Sequence, residues 1–193
     1  MCFLCISLAL QAQPPHGFKW NKAGDGYYAA EAGNIVLYQL PDQSKSVLVS
    51  KEMLIPKNET EPLSIRNFFF SADNTKLLIY TNSKKVWRYD TRGDYWVLDL
   101  KSHQLKQIGK SRPASSLMFA KFSPDGSKVA YVSEYNLYVD DLASGVSTRL
   151  TSGGNRKLIN GTFDWAYEEE FACRDGFRWS PDSKKIAYWQ IDA

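Results

Sequence analysis

Phe122-Ser123-Pro124-Asp125-Gly126-Ser127-Lys128-Val129 is one of three closely matching octets in this chain. Phe70-Ser71-Ala72-Asp73-Asn74-Thr75-Lys76-Leu77 precedes it, and Trp179-Ser180-Pro181-Asp182-Ser183-Lys184-Lys185-Ile186 follows it. The aromatic anchors stand at 70, 122 and 179, so the spacings are 52 and 57 residues. A worn copy opens at Trp20, 50 residues before Phe70, with Asp25-Gly26 as its turn and Tyr27-Tyr28-Ala29 as its second strand. Each octet reads as a β-hairpin. The aromatic ends one strand, Pro suits the second position of a tight turn, and Gly or Asn suits a left-handed residue. Lys then leads into an apolar strand such as Lys128-Val129-Ala130-Tyr131-Val132.

Two further short strands follow each hairpin: 34–40 and 46–50 in the first unit, 95–100 and 104–108 in the second, 136–142 and 146–151 in the third. Four strands per unit at a period near 50 is the signature of a β-propeller blade. A β-sandwich with coincidental turns is the competing architecture, and three good copies of one motif weigh against it. The predicted fold is all-β, a partial β-propeller of about three and a half four-stranded blades. A propeller needs at least four blades to close. The count therefore leads us to expect a fragment, with 14–193 the N-terminal part of a propeller domain and the last blade incomplete.

Two segments break the rhythm. Residues 81–94, TNSKKVWRYDTRGD, read as a basic extension between strands, and 153–176 carry the run Asp164-Trp165-Ala166-Tyr167-Glu168-Glu169-Glu170-Phe171. Long insertions on a regular scaffold are where function usually sits. With Phe163, Trp165, Tyr167 and Phe171 around the acids, part of the segment should be buried. Asp164 suits an N-cap, which predicts a short helical insertion of one or two turns carrying the glutamates. Adjacent carboxylates beside an apolar wall repel one another and lose hydration, a costly arrangement unless a cation shares them. The segment is thus a candidate receptor for an ammonium, with an exposed acidic helix end as the plain alternative.

Composition narrows the function. The net charge of +3 over 193 residues is too small and dispersed to argue for nucleic acid or an anionic membrane. Residues 1–13, MCFLCISLALQAQ, carry no charge and resemble the apolar core and cleavage region of a secretory signal, although the usual basic start is missing. The expectation is export, to a periplasmic, secreted or membrane-anchored location. If the leader is removed, Cys173 has no cysteine to pair with in this chain, and its plain role is a small buried side chain. A serine hydrolase needs a nucleophile, a histidine and an acid. His16 and His103 are the chain's histidines, and Gly-x-Ser-x-Gly does not occur, so no catalytic residue is assigned. No Cys/His spacing suits a metal, and no cofactor is implied. Asp140-Asp141 reads as a solvated strand end rather than a cation site, and Gly24-Asp25-Gly26 lies in a hairpin with no following helix, against a dinucleotide site. Asn58-Glu59-Thr60 and Asn160-Gly161-Thr162 fit the glycosylation pattern.

Recognition remains. Glu169 and Glu170 are candidates to bind an α-ammonium, which stays mostly protonated at neutral pH. Arg88, between Trp87 and Tyr89, could donate a fork of hydrogen bonds to a peptide carbonyl, or could be a surface arginine stacked on its aromatic neighbours.

The run Asn160-Gly161-Thr162-Phe163-Asp164-Trp165-Ala166-Tyr167-Glu168-Glu169-Glu170-Phe171, followed by Phe177-Arg178-Trp179-Ser180-Pro181-Asp182, resembles the double-glutamate segment of the dipeptidyl peptidase IV family. These are serine exopeptidases of the prolyl oligopeptidase clan. Val86-Trp87-Arg88-Tyr89 is similar to that family's arginine loop, and the likeness covers roughly residues 60–193. The resemblance implies an N-terminal propeller paired with a C-terminal α/β-hydrolase domain, absent from this sequence, that holds the serine, aspartate and histidine. It implies that Glu169 and Glu170 hold the free N-terminus of a peptide substrate, that Arg88 holds a backbone carbonyl, and that Glu168 is a structural neighbour. An ammonium anchor at fixed distance from a serine acts as a ruler, so the implied product is an X-Pro or X-Ala dipeptide. Tripeptide release stays open, as does a homodimer of the full-length enzyme. The alternative is a noncatalytic propeller that binds a protein or peptide partner.

Overall fold

The computed structural model describes residues 18–193. The leader at 1–13, with Cys2 and Cys5, and His16 lie outside the described residues.

The chain builds blade after blade in sequence order. β1 (Lys19–Trp20), β2 (Gly26–Glu31), β3 (Asn34–Gln39) and β4 (Ser44–Val49) form a four-stranded antiparallel sheet. A 3-10 turn at Lys51–Leu54 leads to β5 (Asn67–Phe70), β6 (Lys76–Val86), β7 (Tyr89–Asp99) and β8 (Leu105–Ile108), each paired with the next. The third blade is β9 (Leu117–Phe122), β10 (Lys128–Ser133), β11 (Asn136–Asp141) and β12 (Ser147–Arg149). The fourth unit holds β13 (Leu158–Asn160), the helix α1 (Trp165–Phe171), β14 (Phe177–Trp179), β15 (Ile186–Tyr188) and β16 (Gln190–Asp192). This is the all-β, partial propeller expected, with one short helix and sheets that do not close into a ring among the described residues.

The repeated octets form the hairpin turns, and their bonds explain the repeat. Ser123 Oγ donates to Asp125 Oδ1 at 2.6 Å and accepts from the Lys128 N–H at 3.0 Å, while the Ser127 N–H donates to the same carboxylate oxygen. Ser71 with Asp73 and Ser180 with Asp182 repeat the arrangement. The hydroxyl of Ser123, then the Ser127 N–H, hold the Asp125 carboxyl down to about 2. The left-handed position falls on Asn74, Gly126 and Ser183. Ser183 strains there, but its Oγ accepts the Asp125 N–H at 3.0 Å and so ties the third turn to the fourth.

Packing follows the period of two along each strand. In β6, Leu77 and Ile79 face the first blade, where Ile35 and Val49 meet them beside Phe68 of β5. Leu78 and Tyr80 face the third, among Tyr95, Val129 and Tyr131. Ala130, Val132 and Leu137 close on Phe177 of the fourth. Middle blades are therefore buried on both faces, as stacked blades require.

The structure corrects the reading of 81–94. This segment is not an extension lying between strands but a continuation of the strands themselves. β6 and β7 run on through it as a two-stranded ribbon whose register reaches Val86 opposite Tyr89, leaving Trp87-Arg88 as the tip. Bulges between Thr81 and Lys85 break the alternation a strand would show in sequence. Tyr80 braces the base of the ribbon, its hydroxyl lying 3.0 Å from Asp90 O and 2.7 Å from Arg92 O. A Cβ on Gly93 would fall 2.3 Å from the Tyr80 ring, so this close approach requires glycine. Beside it, Arg92 and Gly93 pair with Met118 and Leu117 of β9, which joins the second and third blades into one sheet.

Asp140 is also not a solvated strand end. It is buried, and its carboxylate accepts from the Gly109 N–H at 2.7 Å and from the Tyr131 hydroxyl at 2.9 Å. Asn160 is fully buried, so of the two glycosylation patterns only Asn58 presents its side chain at the surface.

Candidate functional site

The acidic run sits on an excursion from the first strand of the fourth blade. β13 pairs with β16 and β14 pairs with β15, so one strand is split in two and both halves lie along the same partner. The excursion leaves and returns at one point. The Gly161 N–H donates to Trp189 O, the Trp189 N–H donates to Gly176 O, and the Gly176 N–H donates to Gly161 O, at 2.9, 2.9 and 3.0 Å. Gly161 takes a φ of +78°, and a Cβ on Gly176 would stand 2.9 Å from the Gly161 carbonyl carbon. The neck is two backbones in contact, which leaves no room for a side chain.

Above the neck, the Asp164 side chain accepts the Tyr167 N–H at 3.0 Å and caps α1, as the sequence predicts. The helix ends where Ala172 turns left-handed at φ 53°. Lys121 ties down the returning limb. Its Nζ donates to both Asp175 oxygens, at 2.5 and 2.6 Å, and to Phe177 O at 3.0 Å, while burial lowers its pKa against the pull of Asp175.

Successive helical residues are turned about 100° apart, so three consecutive glutamates cannot share one face. Glu168 points inward and is 5% exposed, Glu169 is half-buried, and Glu170 is exposed. Glu168 Oε1 lies 3.6 Å from Arg174 Nε. Burial raises the Glu168 pKa, the Arg174 cation opposes that rise, and the Glu169 charge adds to it. Glu169 Oε2 lies 2.9 Å from Arg88 Nε at the ribbon tip. The other oxygen of Glu169 is buried without a hydrogen-bond partner.

The three predicted residues thus stand on facing elements, Arg88 on the tip of the second blade's ribbon and Glu169 and Glu170 on the fourth blade's helix. The Arg88 side chain is 76% exposed, leaving most of its donors free. Arg88 is not the arginine that stacks on an aromatic neighbour. Arg174 is, with its guanidinium carbon 3.6 Å from the centre of the Tyr89 ring. Part of the acidic run is buried, as expected, at Glu168, but its aromatic neighbours are not what covers it. Trp165, Tyr167 and Phe171 are exposed, and Phe163, Tyr167 and Phe171 stack on one another along the helix. The ribbon and Arg174 enclose the acids instead. Cys173 is half-buried rather than buried.

Arg174 was the residue the sequence did not flag. It lies 85 positions from Tyr89, and no spacing links them. Its one signal was an unmatched cation just after three acids. Glu168 pairs with Arg174 and Glu169 with Arg88, while Glu170 makes no ion pair among the described residues. One oxygen each of Glu168 and Glu169 is buried without a hydrogen-bond donor.

Residues 71–193 match the family described as the dipeptidyl peptidase IV (DPP IV) N-terminal region. The chain is 34% identical over 153 residues to dipeptidyl aminopeptidase B of Saccharomyces cerevisiae, an alignment covering 78% of this chain and 18% of that protein. It is 28% identical over 192 residues to dipeptidyl peptidase 4 of Trichophyton rubrum, covering 97% and 24%. Its fold is similar to the crystal structure of Porphyromonas gingivalis dipeptidyl peptidase 4, with a TM-score of 0.80 at 24% identity over 91% of this chain and 25% of that one. The chain therefore spans about a quarter or less of the length of these relatives.

Proposed function

This chain belongs to the family of dipeptidyl peptidase IV N-terminal regions, and from that premise we propose that it is the substrate-recognition part of a secreted serine dipeptidyl peptidase. In this reading Glu169 and Glu170 bind the α-ammonium of a peptide, and Arg88 donates to a backbone carbonyl near that terminus. The observation that carries it is the state of Glu169. One oxygen is held by Arg88 at 2.9 Å, the other is buried without a donor, and exposed Glu170 follows it in the helix. A buried acceptor with no partner is costly, and an ammonium would satisfy it with a charge-assisted bond.

The ruler follows from the anchor. A serine held at fixed distance on a separate α/β-hydrolase domain cuts after the second residue, releasing X-Pro or X-Ala dipeptides. Blocking the amine removes the charge the anchor recognises. N-acetylated X-Pro substrates should therefore fall by at least about a hundredfold in kcat/KM for the full-length enzyme, the scale set by losing a desolvated charge pair. Comparable turnover of free and acetylated peptides would refute the reading and favour a propeller that binds partners without this chemistry.

A further inference from the structure

We infer that Arg174 and Tyr89 form a latch that fixes the distance between Arg88 and Glu169, and so are positioning residues for the peptide N-terminus. The inference rests on the reading of Glu169 and Arg88 as the substrate contacts. The ribbon and the helix belong to different blades, and a cavity of about 400 Å³ lies between them, lined by Val86 and Trp87 on one side and by Phe163, Trp165 and Glu168 on the other. Two side-chain links span from one to the other: Arg88 with Glu169, and Tyr89 with Arg174.

The two links answer differently to a substrate. An arriving ammonium takes the free oxygen of Glu169 and shares its charge with Arg88, so the first link weakens when the spacing matters most. The second does not involve Glu169. The Arg174 guanidinium carbon sits 3.6 Å from the centre of the Tyr89 ring, and its Nε forms an ion pair with Glu168 Oε1 at 3.6 Å. Tyr89 adjoins Arg88 in sequence, and Glu168 adjoins Glu169. The neighbours of the two substrate contacts are thus bound to each other through one guanidinium. A planar guanidinium can stack on a ring and turn the N–H groups of its edge toward a carboxylate at the same time. A lysine ammonium keeps the charge but has no plane to lay on the ring.

The test uses the full-length enzyme with a chromogenic X-Pro substrate. Tyr89→Leu removes the ring at an exposed position where folding is not at stake, and Arg174→Lys keeps the partner of Glu168. Both should raise KM about tenfold with kcat within about twofold, in line with a partly desolvated cation–π contact. Tyr89→Phe, which keeps the ring, should restore wild-type KM. The rate of labelling of the active-site serine by a sulfonyl fluoride, which has no N-terminus to anchor, should not change. A KM within twofold of wild type for Tyr89→Leu, or a Tyr89→Phe variant as impaired as Tyr89→Leu, overturns the latch. Loss of turnover in Glu169→Ala beside a silent Tyr89→Leu rejects the latch alone, whereas a silent Glu169→Ala rejects the anchor and the latch with it.

Discussion

Replacing Glu169 by alanine separates recognition from stability. In the fold, Glu169 makes an ion pair with an arginine whose side chain is 76% exposed. The Glu169 side chain is 11% exposed, but removing it also removes a buried oxygen that lacks a donor and leaves the guanidinium in water, so the loss of fold stability should stay below about 1 kcal/mol. Binding is a different matter. An ammonium about 3–4 Å from the carboxylate gains about 4 kcal/mol at an effective dielectric near 20. Part of this offsets desolvation of the amine, and the rest is lost with the acid, together with the hold on Arg88. The expected cost is about 2–5 kcal/mol of transition-state binding. At about 1.4 kcal/mol per decade this is a fall in kcat/KM of roughly thirty- to several thousand-fold. Steady-state kinetics on a free X-Pro substrate, with a thermal melt in parallel, reads both. Glu169→Gln should lose nearly as much activity, because it keeps the shape and removes the charge. Activity within threefold of wild type would refute the anchor, and activity lost only in step with a large drop in melting temperature would make Glu169 structural.

Two further outcomes follow from the scaffold. Gly176→Ala places a methyl 2.9 Å from the Gly161 carbonyl carbon and 3.1 Å from the Thr162 nitrogen, both backbone atoms with little freedom to yield, so it should destabilise by about 1–3 kcal/mol. A melting temperature within about 1 °C of wild type would show that the neck can open. The turn aspartates give a pH signature: Asp73 and Asp125 are held below their ordinary 3.8 by the serine hydroxyls beside them, so their contribution is present above that value. It is lost as pH falls through the folded values, about 2 for Asp125, and Asp125→Asn should flatten that loss in urea midpoints measured between about pH 5 and pH 2. An unchanged slope would exclude the turn from the acid transition.

What could be read in advance was what is local. In each octet the serine hydroxyl, the aspartate and the returning lysine lie within six positions, and the bonds from the serine and the aspartate side chains that shape the turn stay inside the octet. Asp164 and the helix it caps are equally local. The ribbon was not legible because its strands carry no alternation. Its register depends on bulges, on the Tyr80 hydroxyl and on the absent side chain of Gly93. Asp140 escaped because its donors come from Gly109, 31 residues away, and Tyr131 in the next strand. The aromatic positions were visible but misweighed. Phe163, Tyr167 and Phe171 recur every four residues, and that spacing makes them neighbours of one another rather than a cover for the acids between them.

That misreading bears on how the site is held. A helix of seven residues is too short to stand by its own backbone bonds, and this one buries little apolar surface, since its aromatics face outward. Its attachment to the sheet is a single glycine neck hydrogen-bonded through Trp189. Hydrophobic docking therefore cannot fix its direction. Charged contacts remain: Lys121 on Asp175 at the return limb, Arg174 between Glu168 and Tyr89, and Arg88 on Glu169 at the tip. The first two are partly buried and the last is open to solvent, so salt screens them unequally. The outermost contact is the one that yields, and it is also the one that must share its carboxylate with an incoming amine. The inner two keep the carboxylate where the amine will find it.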